Sequence, residues 1–343
     1  MAPSSECSTV TEEIVETIGN SSDVNLKSDT EKKKLKWYQF ETRIVPVQFA
    51  ILLVMHISLF YFLFAFPYRQ HPVLVAWAFF MTYVTIMGVT AGIHRFWSHR
   101  TYKATLPVRI MLAMFFYASG QMKIRQWSRQ HRIHHKYADT DGDPHNAKRG
   151  FFFSHIGWLM LEEKKEVDDC RKKISVDDVL ADPVVQFFDN NYALMQTLCV
   201  AVIPTLIPWY FWGQSLTWAF ISQVCIRYPI GIHITASVNS FAHAYGYRTY
   251  DRNILPTENY LISLLTIGEG WHNFHHAFPW DYRASEFSAF FFNPTTAFLN
   301  ILAKLGLIYD LRFASEEHIK KFINEKGDGT AYNDKYRAID KSW

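Results

Sequence analysis

His131-Arg-Ile-His134-His135 and His272-Asn-Phe-His275-His276 share the spacing His-x-x-His-His, and His94-Arg-Phe-Trp-Ser-His99 forms a third cluster after a long apolar stretch. The chain has 15 histidines among 343 residues. One His-x-x-His-His is then expected by chance only about 0.03 times in this length, so two copies are strong evidence of a functional motif.

The spacing of these histidines predicts metal binding. On an α-helix, residues i, i+3 and i+4 share one face, so each His-x-x-His-His presents three imidazoles toward one point. His94 and His99 are about 140° apart on an ideal helix and converge only if the helix ends or unwinds between them. Neutral imidazole suits iron, zinc, copper or nickel. Eight histidines are too many for one ion beside a substrate, so we expect two metals.

The remaining sequence favours iron as the metal. No cysteine neighbours a cluster, so an iron–sulfur centre has no support. Zinc would suit hydrolysis but has no redox chemistry. Glu269 is the only obvious carboxylate near a cluster, and no general base for hydrolysis is marked. Redox-active iron at the ends of apolar helices predicts oxygen chemistry on a lipid chain.

Long apolar stretches predict the fold. Four of them reach the length of about 20 residues that a bilayer requires, namely residues 44–67, 72–93, 193–212 and 216–238. Short linkers join them into two helical hairpins. The long connections hold almost all the lysine and arginine, so they and the N-terminus are expected to be cytosolic. The predicted fold is an all-α integral membrane protein, with four transmembrane helices in two hairpins under a cytosolic helical cap that carries a histidine-ligated di-metal site.

The other segments complete the predicted organisation. Residues 1–36 are polar, lack the apolar region of a signal peptide and are expected to be a disordered tail. Residues 37–315 form the membrane domain with its cap, and residues 316–343 a C-terminal helix and tail. Residues 106–119 and 254–267 are too short to span and are predicted to be interfacial or re-entrant. A net charge of +3 without a basic stripe argues against nucleic-acid binding.

Six further histidines are expected to be mainly structural, four of them because a single histidine at a membrane edge usually is, and His145 and His155 as a mixed group in the cap. His233 is the least secure of these, since an ionisable residue inside a span is functional by default. The six are His56, His71, His145, His155, His233 and His318.

The chain resembles the membrane acyl-CoA desaturases of the stearoyl-CoA type over residues 37–315. Besides the clusters, the resemblance rests on Thr90-Ala-Gly92, Asp143-Pro-His-Asn146, Glu269-Gly-Trp271 and Val238-Asn-Ser-Phe-Ala-His243. It implies an O₂-dependent oxidoreductase that introduces a cis double bond into a fatty acyl-CoA at two iron ions (Fe²⁺). It also implies a multi-pass protein of the endoplasmic reticulum membrane with both termini cytosolic, supplied with electrons by cytochrome b5 and its NADH-dependent reductase.

The resemblance also assigns roles to individual residues. The tunnel kink that it implies is shaped by Gln121, Trp127 and Thr235, which favours a Δ9-like geometry; Arg129 is a further substrate contact. Thr82 and Ile86, on the second span, are candidates for setting chain length. The implied metal ligands are His94, His99, His131, His134, His135, His243, His272, His275 and His276, with Asn239 holding one metal through water.

Several positions depart from the family pattern near the expected head group. Met122 and Gln130 stand where Asn and Asp are usual, Asp189-Asn190 replaces a basic pair, and Ala236 replaces a tryptophan. Fewer basic groups and an added Asp189 predict weaker phosphate contacts, since a charge-assisted hydrogen bond contributes about 1.5–3 kcal/mol. Substitutes for the lost basic groups are Lys123, Arg125, Lys172 or Lys173. The substitution Asp189→Arg is therefore expected to improve the use of acyl-CoA.

Other functions remain open at this point. The same scaffold would suit a hydroxylase, a desaturase of lipid-linked acyl chains, or a desaturase-like protein that regulates without catalysis. A non-catalytic metal-binding or metal-transporting membrane protein is a further alternative. Transport favours ligands near the bilayer midplane along a polar path, whereas these clusters follow the cytosolic ends of spans that contain few polar residues.

Overall fold

The computed structural model describes residues 40–287 and 293–330, so the predicted tail at residues 1–36 lies outside the described residues. The chain divides into two units after Arg43. All the described helices belong to the second unit, which begins at Ile44.

The described part of the second unit is built almost entirely from helices. Two short strands, β1 (Lys103–Ala104) and β2 (Ile308–Tyr309), pair antiparallel. Three segments are π-helical (Gly88–Ser98, Leu198–Val202 and Ile221–Arg227), and two are 3₁₀-helical (Ala147–Arg149 and Gly157–Leu159). The α-helices are α1 (Pro46–Ala65), α2 (Pro72–Met87), α3 (Leu106–Tyr117), α4 (Ile124–Tyr137), α5 (Phe151–His155), α6 (Lys165–Lys172), α7 (Asp177–Leu180), α8 (Pro183–Asn190), α9 (Tyr192–Thr197), α10 (Ile203–Trp212), α11 (Leu216–Phe220), α12 (Tyr228–Ala244), α13 (Tyr260–Leu265), α14 (His272–Ala277), α15 (Pro294–Lys304) and α16 (Glu316–Lys326).

Three helical runs in the described residues are long and apolar enough to cross a membrane, namely Pro46–Ala65, Pro72–Ser98 and Tyr192–Trp212. The second and third continue through π-helical segments without a break. The fourth predicted span lies in a continuous run formed by α11, a π-helical segment and α12, but that run is not among the three. It carries polar side chains such as Gln223 and Arg227. Four spans therefore remain a prediction.

Local sequence explains where the long helices begin and end. Proline stands in the first turn of α1 and of α2, where its missing N–H has no intrahelical partner to lose. Gly213 ends the run of α10 in the left-handed conformation (φ 61°) that glycine adopts without strain. Two residues on, the Ser215 hydroxyl accepts the N–H of Trp218 and caps α11. The short linker thus turns the chain back.

The π-helical segment Gly88–Ser98 packs closely against α3. A Cβ on Gly88 would lie 2.2 Å from the backbone of Phe115, so only glycine allows this approach. Ile93, Trp97 and Leu112 are completely buried where the two elements meet. Arg227, from the fourth run, donates to the carbonyls of Ala118 and Val200 at 3.0 Å each, which joins α3 to both later helical runs.

The two short apolar stretches differ from each other. Residues 106–119 contain the single helix α3, as the sequence predicts. Residues 254–267 are helical only over α13, so the prediction of a helix along this stretch is wrong for the residues before Tyr260. Pro256 has no N–H to donate, and the backbone of Glu258 instead bridges Tyr247 and Trp271 in extended pairing. The exposed leucines of α13 include Leu261 and Leu264.

Candidate metal centre

The structure brings the nine predicted histidine ligands together in two groups. Within each group, one ring nitrogen from every histidine lies within 4.8 Å of all the others. The rings of His135 and His276 stack at a centroid distance of 4.1 Å, so the two groups are adjacent. The five-histidine group is His94, His99, His131, His135 and His275; the four-histidine group is His134, His243, His272 and His276.

The Nε2 atoms converge at distances expected for ligands of a shared ion. In the five-histidine group, His94 and His275 approach to 2.8 Å, and His275 and His135 to 2.9 Å. In the four-histidine group, His272 lies 3.1 Å from both His243 and His276. Two nitrogens that are each about 2.1 Å from one ion, at a right angle, are about 3.0 Å apart.

The π-helical segment Gly88–Ser98 resolves the five-residue spacing of the first cluster. A π-helix bonds residue i to residue i+5, so positions five apart lie above one another. The N–H of His99 accordingly donates to the carbonyl of His94 at 3.2 Å, and the two ring centroids are 5.0 Å apart. The sequence predicts that the helix ends or unwinds between these residues; it instead widens into a π-helix that ends at Ser98, with His99 as its C-cap.

The other ligands come from three helices of ordinary geometry. The helix α4 carries His131, His134 and His135, and the six-residue helix α14 carries the third cluster. His243 lies in the last turn of α12. Each His-x-x-His-His divides between the two groups, because adjacent helical positions are about 100° apart and point toward different centres.

Three buried carboxylates orient the imidazoles from behind. His94 Nδ1 lies 2.7 Å from Glu269 Oε2, and His134 Nδ1 lies 3.0 Å from both oxygens of Asp143. His243 Nδ1 lies 3.3 Å from Asp139 Oδ2. A carboxylate that accepts the Nδ1–H leaves the Nε2 lone pair directed at the metal and raises its basicity. Glu269, predicted as the only obvious carboxylate near a cluster, is therefore joined by Asp139 and Asp143, so that prediction is wrong.

These carboxyls stay ionised in spite of their burial. Burial alone would raise the pKa of Glu269, but Arg95 and His94 lower it to about 2. Arg95 is completely buried and donates to Glu269 through Nε at 3.0 Å and Nη2 at 2.7 Å. Burial would likewise raise the pKa of Asp143, but His134 and His145 hold it well below its ordinary value. Fixed negative charge therefore lies beside both groups.

The donor set fits a metal at each group. His134 Nε2 is shielded from water and has no hydrogen-bond partner among the described residues. Leaving a buried polar atom unpaired costs about 1–3 kcal/mol, which bonding to a cation in the four-histidine group would remove. All nine donors are imidazole nitrogens, the ligand type that suits iron, copper, nickel or zinc.

A cavity of about 310 Å³ adjoins the centre and holds the predicted kink residues. Trp127 Nε1 donates to Gln121 Oε1 at 2.8 Å, and Gln121 Nε2 donates to Thr235 Oγ1 at 3.3 Å. The Trp127 ring stacks on that of His131, with a centroid distance of 4.9 Å. The three side chains thus form one row along the cavity wall, and this row ends at His131 of the five-histidine group.

The remaining predicted residues occupy different places. Asn239 lines the cavity, as do Met122, Gln130 and Ala236. Arg129 is half-buried on α4 and is not among the residues that line it. Thr82 and Ile86 lie on α2, also outside the cavity wall; Thr82 bonds to the carbonyl of Ala78, and Ile86 is buried in the core beside the π-helical segment.

Asp189, predicted to weaken the head-group contacts, is engaged inside the protein. Asp189 is only 3% exposed, and its carboxylate caps the first turn of α4. It accepts the N–H of Ile124 at 2.8 Å and of Arg125 at 3.1 Å, and the Tyr117 hydroxyl at 2.8 Å. The negative charge therefore stabilises a helix N-terminus, which gives Asp189 a structural role that does not involve the substrate.

Sequence reasoning overlooked Asp139, Asp143 and Arg95 as parts of the centre. Two signals were available: Asp139 and Asp143 closely follow the second cluster, and Arg95 stands inside the first. Asp143 also begins one of the motifs that carry the family resemblance. Pairing each carboxylate with a particular histidine requires the fold, because Asp139 and His243 are 104 residues apart.

Comparison with known proteins is consistent with this centre. Residues 69–287 match the family model described as fatty acid desaturase. Stearoyl-CoA desaturase 5 of Bos taurus is 48% identical over 281 residues, covering 82% of this chain and 83% of the relative. The acyl-CoA Delta-12 desaturase of Tribolium castaneum is 44% identical, covering 92% and 87%. The acyl-CoA Delta(11) desaturase of Choristoneura rosaceana is 47% identical, covering 74% and 75%.

Proposed function

The chain belongs to the fatty acid desaturase family, and we propose that it introduces a cis double bond into a saturated fatty acyl-CoA with the use of O₂. The observation that carries the proposal is the pair of histidine groups beside a cavity whose wall includes His131. The relatives' names, acyl-CoA and stearoyl-CoA desaturases, support the substrate class.

We propose two iron ions as the cofactor. One would be held by the five-histidine group and the other by the four-histidine group, with Asn239, on the cavity wall, as the partner of one of the two ions through water. Bound iron would supply the redox chemistry with O₂ that removes hydrogen from the acyl chain, which zinc would not. The carboxylates of Glu269, Asp139 and Asp143 hold the Nδ1 protons of their histidines and so keep Nε2 free for the metal.

The position of the double bond is proposed to be Δ9-like. The three kink residues Gln121, Trp127 and Thr235 support this, because all three match the family pattern and hydrogen bonds hold them together on the cavity wall beside His131. Positioning is a strong source of selectivity where methylenes offer no polar handle. The relatives' names include both Delta-12 and Delta(11) enzymes, so product analysis must decide the position.

Four further assignments are proposals of the same kind. Arg129 is proposed to contact the substrate outside the cavity, and Thr82 and Ile86 to limit chain length from α2. Cytochrome b5 and its NADH-dependent reductase are the proposed electron donors. The proposed location is the endoplasmic reticulum membrane, with both termini in the cytosol; the three apolar helices support a membrane location.

The test is the fatty-acid profile of a yeast strain that lacks its own Δ9 desaturase, with and without this chain. New cis-monounsaturated fatty acids are expected, with a double bond at Δ9 located by mass spectrometry. His134→Ala and His275→Ala, one ligand from each group, should abolish the product. His71→Ala is the matched control, because His71 lies at the start of α2, at the opposite end of that helical run from His94.

The outcomes separate the alternatives. A hydroxylated product, or desaturation found only in intact phospholipid, would replace the acyl-CoA desaturase proposal with another lipid oxidation. Absence of any new product while purified protein binds two metals would indicate a non-catalytic role. Product formation by His134→Ala or His275→Ala would overturn the assignment of the two groups as the reaction centre.

A further inference from the structure

The helix α14 occupies a special place in the centre because it serves both histidine groups. Its His275 belongs to the five-histidine group, and its His272 and His276 belong to the four-histidine group. A helix of six residues has little stability of its own and leaves its first N–H groups without intrahelical partners. A small rotation or slide of α14 would therefore misplace ligands in both groups, so contacts that fix it matter.

Glu258 fixes the N-terminus of α14. Its Oε1 accepts the N–H of Phe274 at 2.7 Å, and the whole residue is only 2% exposed. The backbone of Glu258 is held in turn, since it donates to Tyr247 at 2.7 Å and accepts from Tyr247 at 3.2 Å. The preceding carbonyl, of Thr257, accepts the N–H of His272 at 3.2 Å. Two consecutive residues thus hold the first turn of α14.

Asn273 holds α14 from its other side, through hydrogen bonds to residues between Tyr250 and Pro256. It is completely buried, and its side-chain oxygen accepts the N–H of Tyr250 at 2.8 Å and of Asp251 at 3.0 Å. Its Nδ2 donates to the carbonyls of Asp251 at 2.9 Å and Pro256 at 3.0 Å. These four bonds use the full capacity of an amide side chain. By helical spacing, Asn273 and Phe274 lie on the face of α14 opposite the three histidines.

We propose that Glu258 and Asn273 are positioning residues of the metal centre, which set the rotation and axial position of α14 so that one short helix supplies both histidine groups. The inference rests on the proposed function only in taking the two groups as metal sites. Neither residue touches the metals. Their removal is expected to weaken both sites together, whereas loss of a ligand weakens its own group.

The experiment measures metal content and metal release in the purified full chain. Wild type loaded with Fe²⁺ is expected to hold two ions per chain. Glu258→Ala and Asn273→Ala should lower metal affinity about 10–100-fold, the effect typical of residues that orient metal ligands, and should therefore release both ions to a chelator faster than wild type. Glu258→Gln keeps an acceptor for the Phe274 N–H and should restore the wild-type rate. Asn253→Ala, at an exposed asparagine about five residues before Glu258, is the matched control.

The readouts distinguish positioning from general stability and from the proposed function. His94→Ala and His243→Ala should each speed the release of one ion, which calibrates loss from a single group. Unchanged release in Glu258→Ala and Asn273→Ala would overturn the proposal, as would loss of one ion alone. If either variant fails to fold, Asn273→Gln, which keeps the amide and lengthens it by one methylene, decides by the same rates. A wild type that binds two ions but forms no unsaturated product would sink the proposed function and leave this inference standing.

Discussion

Replacement of Asp189 by alanine should destabilise the helix that carries the second histidine cluster. The carboxylate accepts two N–H groups from the first turn of α4 and the hydroxyl of the buried Tyr117. Loss of a helix cap costs about 0.5–2 kcal/mol. Leaving the Tyr117 hydroxyl without an acceptor costs about 1–3 kcal/mol more. The contact with the half-exposed Arg125 side chain, at 3.8 Å, adds little.

The expected total for Asp189→Ala is therefore about 3 kcal/mol. At about 2–4 °C per kcal/mol, the apparent Tm should fall by roughly 6–12 °C. Asp189→Asn retains an acceptor oxygen and loses mainly the favourable charge at a helix N-terminus, about 0.3–1 kcal/mol, so its fall should be several-fold smaller. Because α4 supplies His131, His134 and His135, the alanine variant should also bind metal less tightly.

The change in Tm is measured by heating the protein in detergent at pH 7 and recording the folded fraction at each temperature by size-exclusion chromatography. Asn190→Ala, at the exposed neighbouring position, is the matched control and should leave Tm unchanged. Asp189→Arg is the decisive variant: a buried guanidinium at a helix N-terminus should prevent stable folding. A stable Asp189→Arg protein with improved use of acyl-CoA would refute the capping argument and restore the head-group interpretation.

Three further predictions follow from buried side chains. Asp143→Ala removes the acceptor of the His134 Nδ1–H and should lower metal affinity at the four-histidine group about 10–100-fold. A metal content that falls from two ions per chain to one supports this, and two retained ions contradict it. Burial raises the pKa of Glu258 from its ordinary 4.5 to about 8, although N–H groups of α14 oppose the shift. Its stabilising contribution is therefore lost as pH rises from about 4.5 to 8, so the Tm of the wild type should fall over this window. The Tm of Glu258→Gln should fall less, and equal slopes of Tm against pH for the two proteins would disprove the prediction. Ile319→Ala, in α16, removes a buried side chain from the cluster that contains Phe274 and Phe278, and should destabilise the protein by about 2–5 kcal/mol. Lys320→Ala, at the exposed next position, is the control, and an unchanged Tm in Ile319→Ala would contradict the prediction.

Features that depend on local spacing could be predicted from the sequence. Apolar length locates three of the membrane helices to within a few residues, apart from the end of the second, which continues to Ser98. His-x-x-His-His predicts helices, and α4 and α14 carry those motifs, but the prediction that each motif directs three imidazoles to one point is wrong, because each motif divides between the two groups. The five-residue spacing of the first cluster was explained only by the structure, because apolarity does not distinguish an α-helix from a π-helix.

Contacts between distant residues could not be predicted in the same way. Asp189 lies 65 residues from Ile124, whose N–H it accepts, and no local pattern marks it as buried. Its alignment with a basic pair instead suggested a surface site, since sequence position does not show which way a carboxylate points. Glu258 and Phe274 likewise come together only because extended backbone pairing brings their segments side by side.

The helix α1 gives the proposed reaction chamber an unusual boundary. Ile51, Leu52 and Met55 form part of the cavity wall, yet no residue of α1 is buried by the rest of the protein. Partly buried side chains such as Leu59 and Phe62 attach α1 to the later helices, and the outer side of α1 is exposed and would face acyl tails where this helix crosses a bilayer. Bilayer thickness and acyl order would then act on one wall of the proposed reaction chamber, so the activity of the proposed desaturase is expected to respond to the order of the membrane around it.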